Sequence, residues 1–296
     1  MIINQSNLSS MYIGFSTIFR EALSLAKPQY QQIATEVPSS TKQQDYKWLG
    51  KLMKLREWVG ERQIQNLSAY NYTVKNKPFE GTVAVDREDI EDDTIGVYKP
   101  VLEELAYSAA LHPDDLVFPL LAGGFTTRCY DGANFFDDNH PLDDGSVQSN
   151  LMHGILNEVN YAAARAKMMQ FVDNAGKQMD IMPDLLVVPP QLEKAALETV
   201  RADKMANGAS NVYYNSADVL ISPRLAADAT KWYLLSTKRP IKPFLFQRRQ
   251  TPEFTALDKP SDENVFNNKE YKYGVYARDN AGYTLYFLAV GSDGTV

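Results

Sequence analysis

Met11, Phe15, Ile18, Phe19, Leu23 and Leu25 recur at helical spacing and predict an amphipathic helix within residues 1–30. Ser9 or Ser10 suits its cap, and Lys27-Pro28 its end. Residues 31–46 are polar, and Val37-Pro38-Ser39-Ser40-Thr41 reads as a loop. The pattern then changes. From Lys47 to Asp93, Trp58, Val59, Ile64, Leu67, Tyr70, Tyr72, Val74, Phe79, Val83 and Val85 are spread thinly among charged and amide residues. Strand formers alternate with polar residues over Tyr70–Val74 and Thr82–Val85, with turns expected at Asn76-Lys77-Pro78 and at Gly81. A lone two-stranded ribbon is marginal in water, so this arm must lie on something else. It ends in DREDIEDD (86–93), acids that favour the N-terminus of the next helix, with Asp92, Asp93 or Thr94 as its cap.

That helix carries Ile95, Tyr98, Leu102, Leu105, Ala109, Leu116, Val117, Leu120 and Leu121. Pro113 should kink or restart it, and Gly123-Gly124 should stop it. Continuous, it would span about 40 Å, long enough to be a scaffold for the whole molecule. A loop-like stretch over 126–146 follows, then a second helix over roughly Asn150–Asn174. LLVV (185–188) is fully apolar, which fits a strand covered on both faces and feeding a helix after Pro189-Pro190. DVLISPRL (218–225) gives another strand, and residues 231–257 give two more. Residues 271–292 read as a hairpin turning at Asp279-Asn280-Ala281-Gly282.

Composition narrows the function. The chain has 296 residues, 44% apolar and 23% charged, as in an ordinary soluble protein. That length supports one irregular domain or two small ones. A net charge of −7 argues against a dedicated nucleic-acid binder. One cysteine, Cys129, excludes an intrachain disulfide framework and is expected as a small buried residue. The N-terminus lacks the basic region of a secretory signal. No apolar run approaches the roughly 18 residues of a membrane helix.

Chemistry-bearing patterns are sparse. FFDDNHP (135–141) clusters Asp137, Asp138 and His140, a carboxylate and imidazole set able to reach a divalent ion. The other histidines, His112 and His153, lie in helical patterns, and Asx-rich turns have the same composition. No Gly-rich phosphate loop and no nucleophile elbow occurs. The basic and aromatic stretch Lys238–Arg249 reads as strands with one charged face rather than a stacking platform. No catalytic, cofactor or metal residue is expected, and no enzyme.

The long stretches 46–98, AGGFTTRCYDGANFFDDNHP (122–141), KWYLLSTKRPIKPFLFQRRQTPEF (231–254) and YKYGVYARDNAG (271–282) resemble the major head subunit of Mu-like phages and prophages. The order of elements likewise resembles the Hong Kong 97-type capsid protein. The resemblance implies an α+β fold with an N-terminal arm (1–45) lying on neighbours and an extension loop, or E-loop (46–93). It also implies a peripheral domain around the spine helix (94–182 and 271–296) and an axial domain (183–270). It implies a structural protein of a tailed double-stranded DNA phage, assembling as hexamers and pentamers into an icosahedral head, a virion capsid built in the host bacterial cytoplasm. Trp48, Arg56, Trp58, Arg62, Tyr70, Tyr72, Lys77 and Phe79 are the implied contact residues between subunits. The implied partners are further copies, a scaffold protein, a portal and decoration proteins, around DNA enclosed without sequence-specific binding. No membrane is involved.

In some relatives a loop lysine is joined to a neighbour's asparagine. Lys75 and Lys77 stand in the loop, but no matching acid and asparagine can be assigned, and no cross-link is expected. About 45 residues precede the loop, too few for a coiled scaffold segment, so a separate scaffold protein is expected. The alternatives are an encapsulin-like compartment shell of the same fold, a metal-dependent hydrolase using Asp137, Asp138 and His140, and a tail or baseplate protein.

Overall fold

The computed structural model describes residues 4–47, 49, 72–92, 95–174, 176–205, 208–259 and 261–295. Its helices are α1 (Gln5–Leu25), α2 (Tyr30–Ile33), α3 (Arg87–Glu91), α4 (Lys99–Gly123), α5 (Glu158–Met169), α6 (Glu193–Val200) and α7 (Glu263–Asn268). The early strands are β1 (Ala34–Pro38), β2 (Gln43–Asp45), β3 (Thr73–Lys75), β4 (Lys77–Asp86), β5 (His140–Pro141), β6 (Val147–Gln148) and β7 (Leu151–Met152). The later ones are β8 (Leu185–Val188), β9 (Asp218–Ile221), β10 (Trp232–Leu235), β11 (Phe244–Leu257), β12 (Glu270–Tyr283) and β13 (Ala289–Ser292).

Two sheets organise the chain. One has the order β1-β11-β12-β4, with β1 parallel to β11 and the other pairs antiparallel. The other has the order β7-β13-β10-β8-β9, with β8 parallel to β9 and β10 antiparallel to both of its neighbours. The pairing crosses the expected ranges. β11 lies inside the expected axial range yet joins the four-stranded sheet. β7 and β13 lie in the expected peripheral ranges yet join the five-stranded one.

The helix α4 bridges two cores. Its first half buries Leu102 and Ala106 with Leu8, Met11, Phe15 and Phe19 of α1 and with Val85, Tyr271 and Tyr273 of the four-stranded sheet. Its second half buries Val117, Phe118 and Leu121 in the larger core around the five-stranded sheet. Pro113 lies between these halves and does not break the helix. Burial on both sides outweighs the roughly 3 kcal/mol that an interior proline costs. The helix begins at Lys99 with Pro100 in its first turn and has no side-chain cap. The acids before it act elsewhere: Asp86 caps α3 by accepting the Glu88 N–H at 2.9 Å, and Asp92 closes that helix. Asp93 and Thr94 lie outside the described residues.

The described part of the expected N-terminal arm is built into its own subunit. The α1 stripe needs cover, and the sheet supplies it: Phe15 meets Tyr273 edge-on at 4.9 Å, and Phe19 meets Phe254 at 5.1 Å. β1 then pairs along β11.

Three local expectations give way to tertiary packing. β12 runs straight through Asp279–Gly282 instead of turning. Asp279 faces His112 Nε2 at 3.1 Å, Asn280 Nδ2 donates to the Lys75 carbonyl at 2.8 Å, and Gly282 sits where a Cβ would meet Val74 at 2.8 Å. β4 runs through Pro78 and Gly81 instead of turning there. It is an edge strand, where proline's missing N–H costs no ladder bond. The second helix begins at Glu158, not near Asn150, because β7 and Gly154 at φ 112° precede it. Gly154's carbonyl accepts both Trp232 Nε1 at 3.0 Å and Ser292 Oγ at 2.7 Å, which ties this bend to the sheet.

Asp114 joins three segments. It is buried on α4 and accepts the Tyr30 N–H at 2.6 Å and the Gln29 N–H at 3.0 Å, so it caps α2 from another element. Arg224, after β9, lies 3.7 Å from Asp114 and donates to Asp115 at 2.7 Å. Burial pushes the Asp114 carboxyl above its ordinary range, and the two N–H bonds and Arg224 offset only part of this.

Asp114→Ala leaves both N–H groups buried without acceptors, so a loss of about 2 kcal/mol is expected in urea unfolding of the unassembled chain. Gly282→Val drives a side chain into Val74 and Tyr72, and the same measurement should give a loss of about 1–3 kcal/mol.

Candidate assembly surface

The loop after α4 collects the expected metal candidates but sorts them differently. Asp137 accepts the N–H groups of Asn134 at 3.1 Å and Asn139 at 3.1 Å, which is an Asx-type turn. Asp138 accepts the Ser149 hydroxyl at 2.8 Å. His140 is fully buried and turns to other partners: Nδ1 lies 2.6 Å from Asp131 and Nε2 lies 3.0 Å from Asn150 Oδ1. Asn150 has its orientation fixed, because Nδ2 donates to the carbonyls of Phe135, Tyr286 and Ala289. Its Oδ1 therefore faces the ring. The ring also stacks flat on Tyr286 at 3.6 Å.

Cys129 completes the cluster and donates its thiol to Asp131 Oδ1 at 3.0 Å. Burial opposes ionisation of Asp131, but the hydrogen bond and charge of His140 outweigh it and hold the carboxyl below its ordinary range. Burial, with Asp131 adding to it, pushes the Cys129 thiol up, away from the thiolate needed for attack or metal ligation. Two ligands of one tetrahedral ion sit roughly 3.3 Å apart. The 2.6 Å between His140 and Asp131 is instead the distance of a charge-assisted hydrogen bond. Cys129, Asp131, His140 and Asn150 form a closed structural set that fastens the loop to the end of the sheet.

The base of the expected loop is the more informative place. β2 and β3 pair antiparallel, Gln43 with Lys75, Gln44 with Val74 and Asp45 with Thr73. They are the two stems of a ribbon, with residues 46–72 between them. The stems open at 43 and 75. Lys77–Asp86 belongs to the sheet as β4. Under the ribbon, Gln247 of β11 is fully buried. It accepts the Tyr46 hydroxyl at 2.7 Å and donates to the Val74 carbonyl at 3.2 Å and to Asn76 Oδ1 at 2.6 Å. Asn76 donates onward to Ser39 Oγ at 3.0 Å and the Thr41 carbonyl at 2.8 Å. Burial, with Tyr72 nearby, pushes the Tyr46 phenol up to about 12.

Of the expected contact residues, Tyr72, Lys77 and Phe79 are described. The Tyr72 hydroxyl accepts the Tyr283 N–H at 3.1 Å, and the Phe79 ring lies 4.1 Å from that of His112, so both have roles inside the subunit. Lys77 is exposed. Trp48, Arg56, Trp58, Arg62 and Tyr70 lie outside the described residues. Gln247 and Asn76 were not singled out from sequence. The signal was present in the run FLFQ, an amide continuing a strand whose other residues are all apolar. Phe266, at 86% exposed, and Leu257 stand uncovered where β11 turns into β12, and Val159 and Val212 stand uncovered elsewhere. Among the described residues no helix is long and apolar enough to cross a membrane.

Comparison with known proteins identifies the family. The family described as Mu-like prophage major head subunit gpT matches residues 8–155, 151–225 and 224–296. The major capsid protein of Escherichia phage Mu is 33% identical over 294 residues, covering 99% of this chain and 76% of that one. The Mu-like prophage FluMu major head subunit of Haemophilus influenzae is 30% identical over 285 residues, 95% of this chain and 71% of its own. Among solved structures, the procapsid of bacteriophage JBD30 aligns at TM-score 0.66 and 34% identity, over 98% of this chain and 76% of that one. A virus-like particle from Pyrococcus furiosus shares the fold at TM-score 0.53 and 9% identity, over 94% of this chain and 97% of that one. The fold is that of Hong Kong 97-type phage capsids, and the chain belongs to the Mu-like major head subunit family, structural proteins of the phage capsid.

Proposed function

We propose that residues 46–72 are the arm by which one capsid subunit grips the next, as hexamers and pentamers close into an icosahedral head around double-stranded DNA. The carrying observation is the ribbon base. Two short stems, bonded to each other and to the sheet below, bracket 27 residues, a segment too short to stabilise a core of its own. An arm of about 12–15 residues per side reaches some 40 Å when extended, enough to cross onto an adjacent copy. Trp48, Arg56, Trp58, Arg62 and Tyr70 are its proposed contacts. Aromatic and arginine side chains concentrate binding energy at interfaces. No single contact need be strong, because a closed shell makes many at once.

The remaining partners follow from the same reading. Assembly in the host cytoplasm uses a scaffold protein and a portal. A net charge of −7 keeps packaged DNA from adhering to the wall. A JBD30 capsid is decorated with minor capsid protein trimers, and comparable decoration is proposed for this shell. The cargo-compartment alternative is disfavoured, because the relatives at 30–34% identity are phage head proteins.

Trp58→Ala combined with Arg62→Ala is expected to yield soluble, folded subunit and at least tenfold fewer closed particles, counted by electron microscopy. Normal particle yield would remove the arm from assembly.

A further inference from the structure

We propose that the buried amide pair Gln247–Asn76 sets the direction in which residues 46–72 leave the subunit. The inference rests on the reading of those residues as the assembly arm. It goes beyond that reading by assigning the arm's orientation to side chains beneath it.

The topology defines two corners. β1 and β4 are opposite edges of the four-stranded sheet, separated by β11 and β12. β1 passes into β2 through residues 39–42, and β3 passes into β4 through the single residue Asn76. At these corners the chain stops pairing with the sheet and pairs only with itself. The ribbon's ladder has three residue pairs, which is too little to hold an orientation against solvent.

Side chains from one rung of the sheet supply what the ladder lacks. Gln247 and Asn280 are cross-strand partners on β11 and β12. Each donates to a carbonyl of β3, Gln247 to Val74 and Asn280 to Lys75. Gln247 also bonds Tyr46 on the outgoing side and Asn76 on the returning side, so one residue holds both stems. Asn76 closes the second corner onto the first through Ser39 and Thr41, and its N–H donates to the Lys42 carbonyl at 3.0 Å. Gly282 lets the ribbon approach: any side chain there would meet Val74 and Tyr72. A buried polar set of this kind is favourable only when fully bonded, so it admits one pose of the ribbon.

The test compares wild type with Gln247→Glu and Tyr46→Phe as unassembled full-length chains, by hydrogen–deuterium exchange. A carboxylate at 247 can still accept from Tyr46 but cannot donate to Val74 or Asn76. Exchange across 41–46 and 72–76 should rise about tenfold or more in Gln247→Glu, while α4, β8 and β10 keep wild-type rates. Tyr46→Phe removes one bond, and a smaller rise limited to 43–47 is expected. Unchanged stem exchange in Gln247→Glu would overturn the proposal. A uniform rise across the chain would also overturn it, since Gln247 would then be a general packing residue. Particle formation is read separately. Looser stems with reduced closed shells support both the clamp and the arm. Looser stems with normal shells keep the clamp and discard the arm as the carrier of assembly.

Discussion

The subunit depends on the burial of α4 against two cores at once. A helix of 25 residues is long for one that contains two prolines. It persists because Leu102 and Ala106 are sealed under α1 and one sheet, while Val117, Phe118 and Leu121 are sealed against the other. Removing either cover would leave half the helix to its own propensity, which Pro113 and Pro119 make poor. The helix is thus a beam held at both ends. The relative placement of the two sheets follows from its continuity across both cores. Tyr283, on β12, adds a direct tie by donating its hydroxyl to the Leu120 carbonyl at 3.0 Å.

Where segments meet around this beam, the joint is polar and buried. Asp114 joins the N-terminal segment to α4, Asn150 and His140 fasten the loop after α4, and Gln247 fastens the ribbon. Apolar packing alone would tolerate several arrangements at these joints. A buried amide or carboxylate tolerates few, because each unmade bond costs about 1–3 kcal/mol. The gain is in definition more than in net stability, which suits a protein whose surfaces must match many copies.

Much of the fold was legible from periodicity. The stripe Met11, Phe15, Phe19 gave α1, and the unbroken LLVV gave a strand covered on both faces. The long helix and the strands β9, β10 and β11 were equally plain. Turn chemistry misled where tertiary partners claimed the same residues. Asp279-Asn280-Ala281-Gly282 reads as a turn locally, yet His112, the Lys75 carbonyl and Val74 draw those residues into a straight strand. The candidate site was legible only in part. The strand-forming pattern pointed to the ribbon's returning stem, β3, but Gln247, Asn76 and Tyr46 are far apart in the chain. Only the sheet register brings them together, and no local pattern encodes a register between β11 and the ribbon.

The sheet edges bear on how such a subunit associates. An exposed strand edge invites pairing with any other strand, which in a crowded assembly would compete with ordered contacts. β4, one edge of the four-stranded sheet, carries Lys77, Pro78 and Glu80, and a proline and charges blunt an edge. On the five-stranded sheet, the edge strands β7 and β9 are only two and four residues long. Backbone addition to the sheets is therefore disfavoured throughout the described residues. Recognition between copies then falls to side-chain surfaces and, on the proposed reading, to residues 46–72. This is why the bonds beneath the ribbon matter out of proportion to their number. In a subunit with blunted edges, the direction of the proposed arm would be a large share of its specificity.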